Sequence, residues 1–123
     1  MKSKCVIIAG EFSADVIGVE IMSAINNIEW YGIGGPLMGA KKLNKIYDWD
    51  KISAFGLSDI IFSLPRLYYY ASKIADKIIK INPKIIVTVD TKGFNFYLIK
   101  LIRNKLKNKN NIPKFIHIVA PTV

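Results

Sequence analysis

Short apolar runs alternate along this chain with stretches of helical period. Residues 5 to 9, Cys-Val-Ile-Ile-Ala, are continuously apolar and rich in β-branched side chains, which is the pattern of a strand covered on both faces. Gly10 ends the run. From Val16 to Ile25, the side chains of Val16, Val19, Ile21, Met22 and Ile25 fall largely along one side of a helix. Strand, loop and helix in this order make half of a βαβ unit. Glu29 to Ile33 reads as a second strand, and Gly32-Ile33-Gly34-Gly35-Pro36 as a turn whose proline suits a first helical turn.

Residues 37 to 52 follow no single period, with Ile46, Trp49 and Ile52 as anchors of an irregular stretch, and Phe55 to Phe62 suggests a brief helix. Beyond Pro65 the pattern sharpens. Leu67, Ala71, Ile74, Ile78 and Ile81 recur at steps of four and three, with Arg66, Lys73, Lys77 and Lys80 on other faces, which predicts a helix over 65–81. Asn82-Pro83 closes it. Ile85 to Val89 is a β-branched strand that leaves Asp90 at its carboxyl end. A helix beginning near Phe94 buries Phe94, Leu98, Leu101 and Ile102, residues 105 to 111 form a solvated linker, and Phe115 to Val119 is a last strand.

Strand and helix in alternation define an α/β class: a Rossmann-like parallel sheet with flanking helices and right-handed crossovers. The last strand has no following helix, so part of the sheet is expected to expose apolar surface unless further protein or a partner covers it.

Composition narrows the class without naming a function. At 123 residues the chain fits one domain, and 51% hydrophobic residues exclude disorder. No run of about twenty apolar residues is present to form a spanning helix. With one cysteine, Cys5, and one histidine, His117, neither a disulfide nor a thiolate or imidazole metal cluster is available; no metal and no cofactor is expected. A cytoplasmic location follows as the default. The net charge of +9 lies in the second half: residues 63 to 123 hold twelve Lys or Arg against Asp76 and Asp90. Such a field attracts nucleic acid, anionic lipid or phosphorylated substrates alike.

In open parallel sheets, ligands bind beyond the carboxyl ends of the strands. Four clusters are expected to meet there: Gly10 to Asp15, Gly32 to Pro36, Asp90 to Asn95, and Ala120 to Thr122. Glu11, Ser13 and Asp15 offer groups for sugar hydroxyls, or else Ser13 or Asp15 caps the following helix. The spacing is not G-x-G-x-x-G, which disfavours a dinucleotide. Asp90, on a rigid strand end, is the choice for proton transfer, with Asn95 orienting it or the substrate; the plainer alternative is an Asp that caps the next helix. His117 is read as a structural, hydrogen-bonded histidine.

Phe62 to Tyr70 joins three tyrosines to a helix carrying Lys73, Lys77 and Lys80. Leu64, Arg66, Tyr68, Tyr69, Lys73 and Lys77 together have the make-up of a peripheral membrane contact. The same ingredients serve single-stranded nucleic acid, or an ordinary packed helix with its lysines in water.

These motifs, in this order, resemble the N-terminal part of the lipid-A-disaccharide synthase family of inverting glycosyltransferases. The likeness is carried by IIAGEFSAD at 7 to 15, YGIGGPLM at 31 to 38, FGLSDII at 55 to 61, LPRL at 64 to 67, VTVDTKGFN at 87 to 95 and HIVAPTV at 117 to 123. The resemblance implies the acceptor-side half of a two-domain, GT-B glycosyltransferase, with the whole of residues 1–123 in that half and a UDP-sugar-binding second domain not included. It further implies transfer of 2,3-diacylglucosamine from UDP to 2,3-diacylglucosamine 1-phosphate in lipid A biosynthesis, at the inner face of the cytoplasmic membrane. Asp90 inherits the base role toward the acceptor 6-hydroxyl. Glu11, Ser13, Asp15 and Asn95 shape the acceptor site. A complementary C-terminal polypeptide is an expected partner, and the 123 residues alone are expected to be inactive.

Two positions depart from the family pattern. Ala14 stands where the G-E-x-S-G-D motif has its second glycine. In the D-A-P-D-F-N motif, Thr91-Lys92 replaces Ala-Pro and Gly93 replaces the second aspartate. The rival reading from composition is a non-catalytic basic α/β module that binds nucleic acid.

Overall fold

Alternation within the first strand decides the layering. In β1 (Ser3–Ala9), Val6 and Ile8 point to one face of a sheet and Cys5, Ile7 and Ala9 to the other, and all five are buried. A strand with both faces apolar needs helices on both sides. The computed structural model, which describes residues 2–48, 64–90 and 92–120, has them. In chain order the elements are β1, α1 (Phe12–Ala24), β2 (Ile28–Ile33), α2 (Pro36–Ala40), β3 (Asn44–Lys45), α3 (Leu64–Ile81), β4 (Ile85–Val89), α4 (Lys92–Lys105) and β5 (Lys114–Ile118).

The described strands form one parallel sheet in the order β3-β2-β1-β4-β5. α3 and α4 share a core with Val6, Ile8 and Ile86 on one face. α1 and α2 share the other with Ile7, Trp30 and Val87. In α3 the buried stripe is Ala71, Ile74, Ala75 and Ile78, as the steps of four and three predict. Each fully buried isoleucine contributes about 2 kcal/mol. Asn82 ends this helix in a left-handed conformation (φ 57°), its N–H donating back to the carbonyls of Ile78 and Ile79.

Three expectations are corrected. α1 begins at Phe12 rather than Val16, and its buried face is Ala14, Asp15, Gly18 and Met22, whereas Val16 and Ile25 are exposed. Small residues at steps of four let this helix lie close to its neighbours: the Met38 sulfur lies 2.4 Å from where a Cβ on Gly18 would sit. Gly32 belongs to β2 and not to the turn, which starts at Gly34. Its φ of 154° and a virtual Cβ only 1.8 Å from the Ile7 carbonyl oxygen explain a glycine in mid-strand. The stretch after residue 105 is not wholly solvated, since Leu106 is buried against the α3 and α4 core. Trp49, Ile52, the helix expected over 55–62, Thr91 and residues 121–123 lie outside the described residues.

Ile116 of β5 is 45% exposed and shares a register level with buried Val87. Among the described residues the α1 and α2 side of the sheet is therefore uncovered at Ile116, while Ile118 packs against the core beneath α1 and α2.

Candidate functional site

Strand order reverses direction on either side of β1. β2 and β3 extend one way and β4 and β5 the other, which opens a crevice between the carboxyl ends of β1 and β4. The register pairs Ala9 with Val89 and Val89 with Ile118. Glu11, two residues past Ala9, and Asp90, one past Val89, therefore sit at the same rim, and Ala120 lies beside Asp90. The loop after β2, Gly34-Gly35, joins that rim through Asp15. The four expected clusters thus share one edge as far as their residues are described.

Asp90 is held from three directions. It adopts a left-handed conformation (φ 50°), which costs a non-glycine residue roughly 1 kcal/mol or more. Its N–H donates to the Ile118 carbonyl at 2.8 Å, its carbonyl accepts from Asn95 Nδ2 at 2.7 Å, and its Oδ1 accepts the Ala120 N–H at 2.8 Å. Oδ2 has no hydrogen-bond partner among the described residues. A half-buried carboxylate with one oxygen anchored by backbone and the other open can take a proton from a hydroxyl brought within about 3 Å. The Ala120 N–H is a main-chain group, so residue type gives no sign of it.

Asn95 is 1% exposed and serves the protein itself. Its Nδ2 donates to the carbonyls of Asp90 and, at 3.4 Å, Val89, while its buried Oδ1 has no hydrogen-bond partner among the described residues. Of the two roles expected for it, orienting Asp90 is the one its contacts serve. Asp15 is likewise turned inward and fully buried. Its carboxylate accepts three backbone N–H groups at the start of α2, from Gly35 at 2.9 Å, Leu37 at 2.9 Å and Met38 at 3.0 Å. It caps α2, about twenty residues further on, and not α1 that carries it; local spacing holds no signal for such a link. Glu11 occupies the N-cap position of α1 in extended conformation with no capping bond from its side chain, half-exposed at the rim, and Ser13 is exposed in the first turn. These two are the members of the G-E-F-S-A-D segment presented outward, and Phe12 between them is 65% exposed.

His117 pairs its Nδ1 with Thr88 Oγ1 at 2.7 Å and packs on Phe96 at 4.7 Å, in keeping with a structural role. Gly93, in the first turn of α4, has nothing among the described residues within 4 Å of a virtual Cβ. Among the described residues no group of three His, Cys, Asp or Glu is arranged to hold a metal ion.

On α3, Tyr68 and Tyr69 are 53% and 51% exposed. The Lys73 ammonium stands 4.6 Å from the Tyr69 ring centre, and hydrogen bonding to the Tyr69 side chain raises its pKa above the ordinary lysine value. Lys77 is tied down: its Nζ donates to the Ile46 carbonyl at 2.8 Å and lies 5.4 Å from the Tyr47 ring, so its charge is directed to the body of the domain. Burial pushes the Tyr47 phenol up. Leu64 and Arg66 belong to the first turn of α3. No described helix is long and apolar enough to cross a membrane.

Fold and rim together define a Rossmann-like parallel α/β domain with acidic residues beyond the strand ends at its topological switch point. The sequence profile described as lipid-A-disaccharide synthetase matches residues 5–123, and the chain belongs to that family. It is 30% identical to the lipid-A-disaccharide synthase of Chlamydia trachomatis serovar D, a match covering 98% of this chain and 20% of that protein. Identity is 35% with the probable mitochondrial lipid-A-disaccharide synthase of Arabidopsis thaliana, covering 94% of this chain and 27% of the relative. The Blochmanniella pennsylvanica synthase is 31% identical over 95% of this chain and 30% of its own length. The chain thus spans between a fifth and a third of the curated relatives it matches.

Proposed function

We propose that this chain is the acceptor-side part of an inverting, UDP-sugar-dependent glycosyltransferase that makes the lipid A disaccharide. The observation that carries the reading is Asp90, anchored through Oδ1 and open at Oδ2, across the β1–β4 crevice from Glu11. Oδ2 takes the proton from the 6-hydroxyl of 2,3-diacylglucosamine 1-phosphate as that oxygen attacks the anomeric carbon of UDP-2,3-diacylglucosamine. The bond from this carbon to the UDP oxygen breaks on the opposite face, inverting the centre and releasing UDP and lipid A disaccharide 1-phosphate. Glu11 and Ser13 meet the acceptor's polar groups. Asp15 and Asn95 hold the two loops, at the β2 and β4 ends, that shape the mouth.

UDP is held by a second, donor-binding domain supplied by sequence beyond these residues, in one polypeptide or as a complementary C-terminal chain. The site works at the inner face of the cytoplasmic membrane, where Tyr68, Tyr69 and Lys73 meet anionic lipid.

A product assay with both acylated substrates tests this reading. No turnover is expected from the 123 residues alone, and activity when the matching donor-binding part is supplied. In the complemented enzyme Asp90→Asn is expected to lower kcat at least about 100-fold with the fold intact. A near-normal rate for that variant removes Asp90 from the base role.

A further inference from the structure

α1 buries Ala14 and Gly18 and leaves Phe12 in water, where it is the most exposed of the large apolar side chains among the described residues. Burial alone favours the reverse. Val16, one turn along the same side of α1, is exposed as well, and so is Leu37 in the first turn of α2. The Leu37 N–H donates to the Asp15 carboxylate at 2.9 Å, which ties the start of α2 to the turn of α1 that carries Phe12. A single exposed apolar residue needs no ligand. Here three adjoin one rim, and Phe12 stands between Glu11 and Ser13, the two polar residues presented outward there. An apolar shoulder beside a polar mouth suits an amphiphile, with its head in the crevice and its tail on the shoulder.

The shape of the acceptor sugar says which part of it reaches that shoulder. In a glucosamine ring C2 lies directly across from C5, the atom that carries the 6-hydroxymethyl group, and C3 is next to C2. With O6 against Asp90 at the β4 end of the crevice, C2 and C3 face the opposite wall, where β1 runs through Ala9 into Glu11 and Phe12. Acyl chains on those two carbons leave the ring toward the start of α1. We propose that Phe12, with Val16 and Leu37 beside it, packs against an acyl chain of the acceptor and makes this half of the enzyme selective for acylated over deacylated sugar phosphate. The inference rests on the acceptor reading above, and adds to it the residue that senses acylation.

Titration of the 123-residue chain, followed by NMR, tests it with two soluble probes, 2,3-dihexanoylglucosamine 1-phosphate and glucosamine 1-phosphate. The wild-type chain is expected to prefer the acylated probe. Phe12→Ala is expected to bind that probe about tenfold more weakly and glucosamine 1-phosphate within about twofold of wild type, whereas Phe12→Leu keeps most of the preference. Ile25→Ala, which removes an exposed apolar side chain at the far end of α1, should change neither affinity. Because Phe12 is exposed, its replacement should leave the thermal unfolding midpoint within about 3 °C of the parent. Equal weakening of both probes by Phe12→Ala gives Phe12 a role in shaping the sugar site and overturns the acyl contact. An unchanged preference in Phe12→Ala overturns it too, and leaves the shoulder to a protein contact such as the donor-binding part. Either result leaves the acceptor reading standing. If the wild-type chain binds neither probe, the acceptor reading of this half fails and the acyl contact with it.

Discussion

The side-chain amide of Asn95 donates to the main-chain oxygen of Asp90 at 2.7 Å, so a buried residue one turn into α4 holds the left-handed turn that aims the candidate base. Removing the amide leaves the Asp90 carbonyl without this donor and opens a small void. Asn95→Ala is expected to cost about 1–3 kcal/mol in urea unfolding, and Asn95→Asp more, because a carboxylate would face the carbonyls of Val89 and Asp90. In the complemented enzyme Asn95→Ala should lower kcat more than it raises KM, since it disturbs the base and not the acceptor's contacts. A variant that changes only KM would return Asn95 to the substrate-binding role.

Asp15 offers the clearest separation between a site residue and a structural one. Three N–H donors converge on a carboxylate with no exposure. Asparagine keeps one acceptor oxygen and turns an NH₂ toward backbone donors, so Asp15→Asn is expected to destabilise by about 3 kcal/mol. Glu11→Gln, at the half-exposed rim, should shift stability by about 0.5 kcal/mol or less. If both unfold alike, Asp15 does not hold α2 as its hydrogen bonds indicate.

What the sequence made legible was whatever has a local period or a topological consequence. CVIIA and IIVTV read as doubly covered strands because burial on both faces removes alternation, and the α3 stripe was visible because its helix is long. The common rim of Glu11 and Asp90 followed from parallel topology alone. The inward turn of Asp15 and Asn95 was not legible, because each bonds to backbone atoms whose positions depend on the packing of neighbouring segments. α1 misled for a related reason. Its most apolar side chains, Val16 and Ile25, are left outside, while Ala14 and Gly18 face inward because close approach to Met38 rewards small size over hydrophobicity.

Two glycines should respond in opposite directions. Gly32→Ala forces a Cβ to 1.8 Å from the Ile7 carbonyl oxygen at a φ of 154°, so a loss of at least about 3 kcal/mol, or failure to fold, is expected. Gly93 has no positive φ and, among the described residues, open space around it. Gly93→Ala should therefore raise stability by about 0.5 kcal/mol through the unfolded chain's lost freedom. Thermal unfolding of the two variants checks both signs at once.

Cys5 gives the fold an alkaline limit. The thiol is buried in the core beside α1 and α2, and burial pushes its pKa above the ordinary 9.0, outweighing the opposing hydrogen bond with the Ile85 backbone and the charge of Lys84. As pH rises past 9.0 the unfolded chain loses this proton first, so the native state binds more protons than the unfolded one and stability falls with pH. The contribution is complete below about pH 9 and disappears as pH passes through the raised native value. Cys5→Ala should be about 1 kcal/mol less stable than the parent at pH 7, from the lost sulfur packing. That gap should narrow at pH 10, because only the parent carries the thiol, whereas the lysines and tyrosines titrate in both. A gap of constant size across this range would mean that the native thiol ionises as freely as the unfolded one, contrary to its burial.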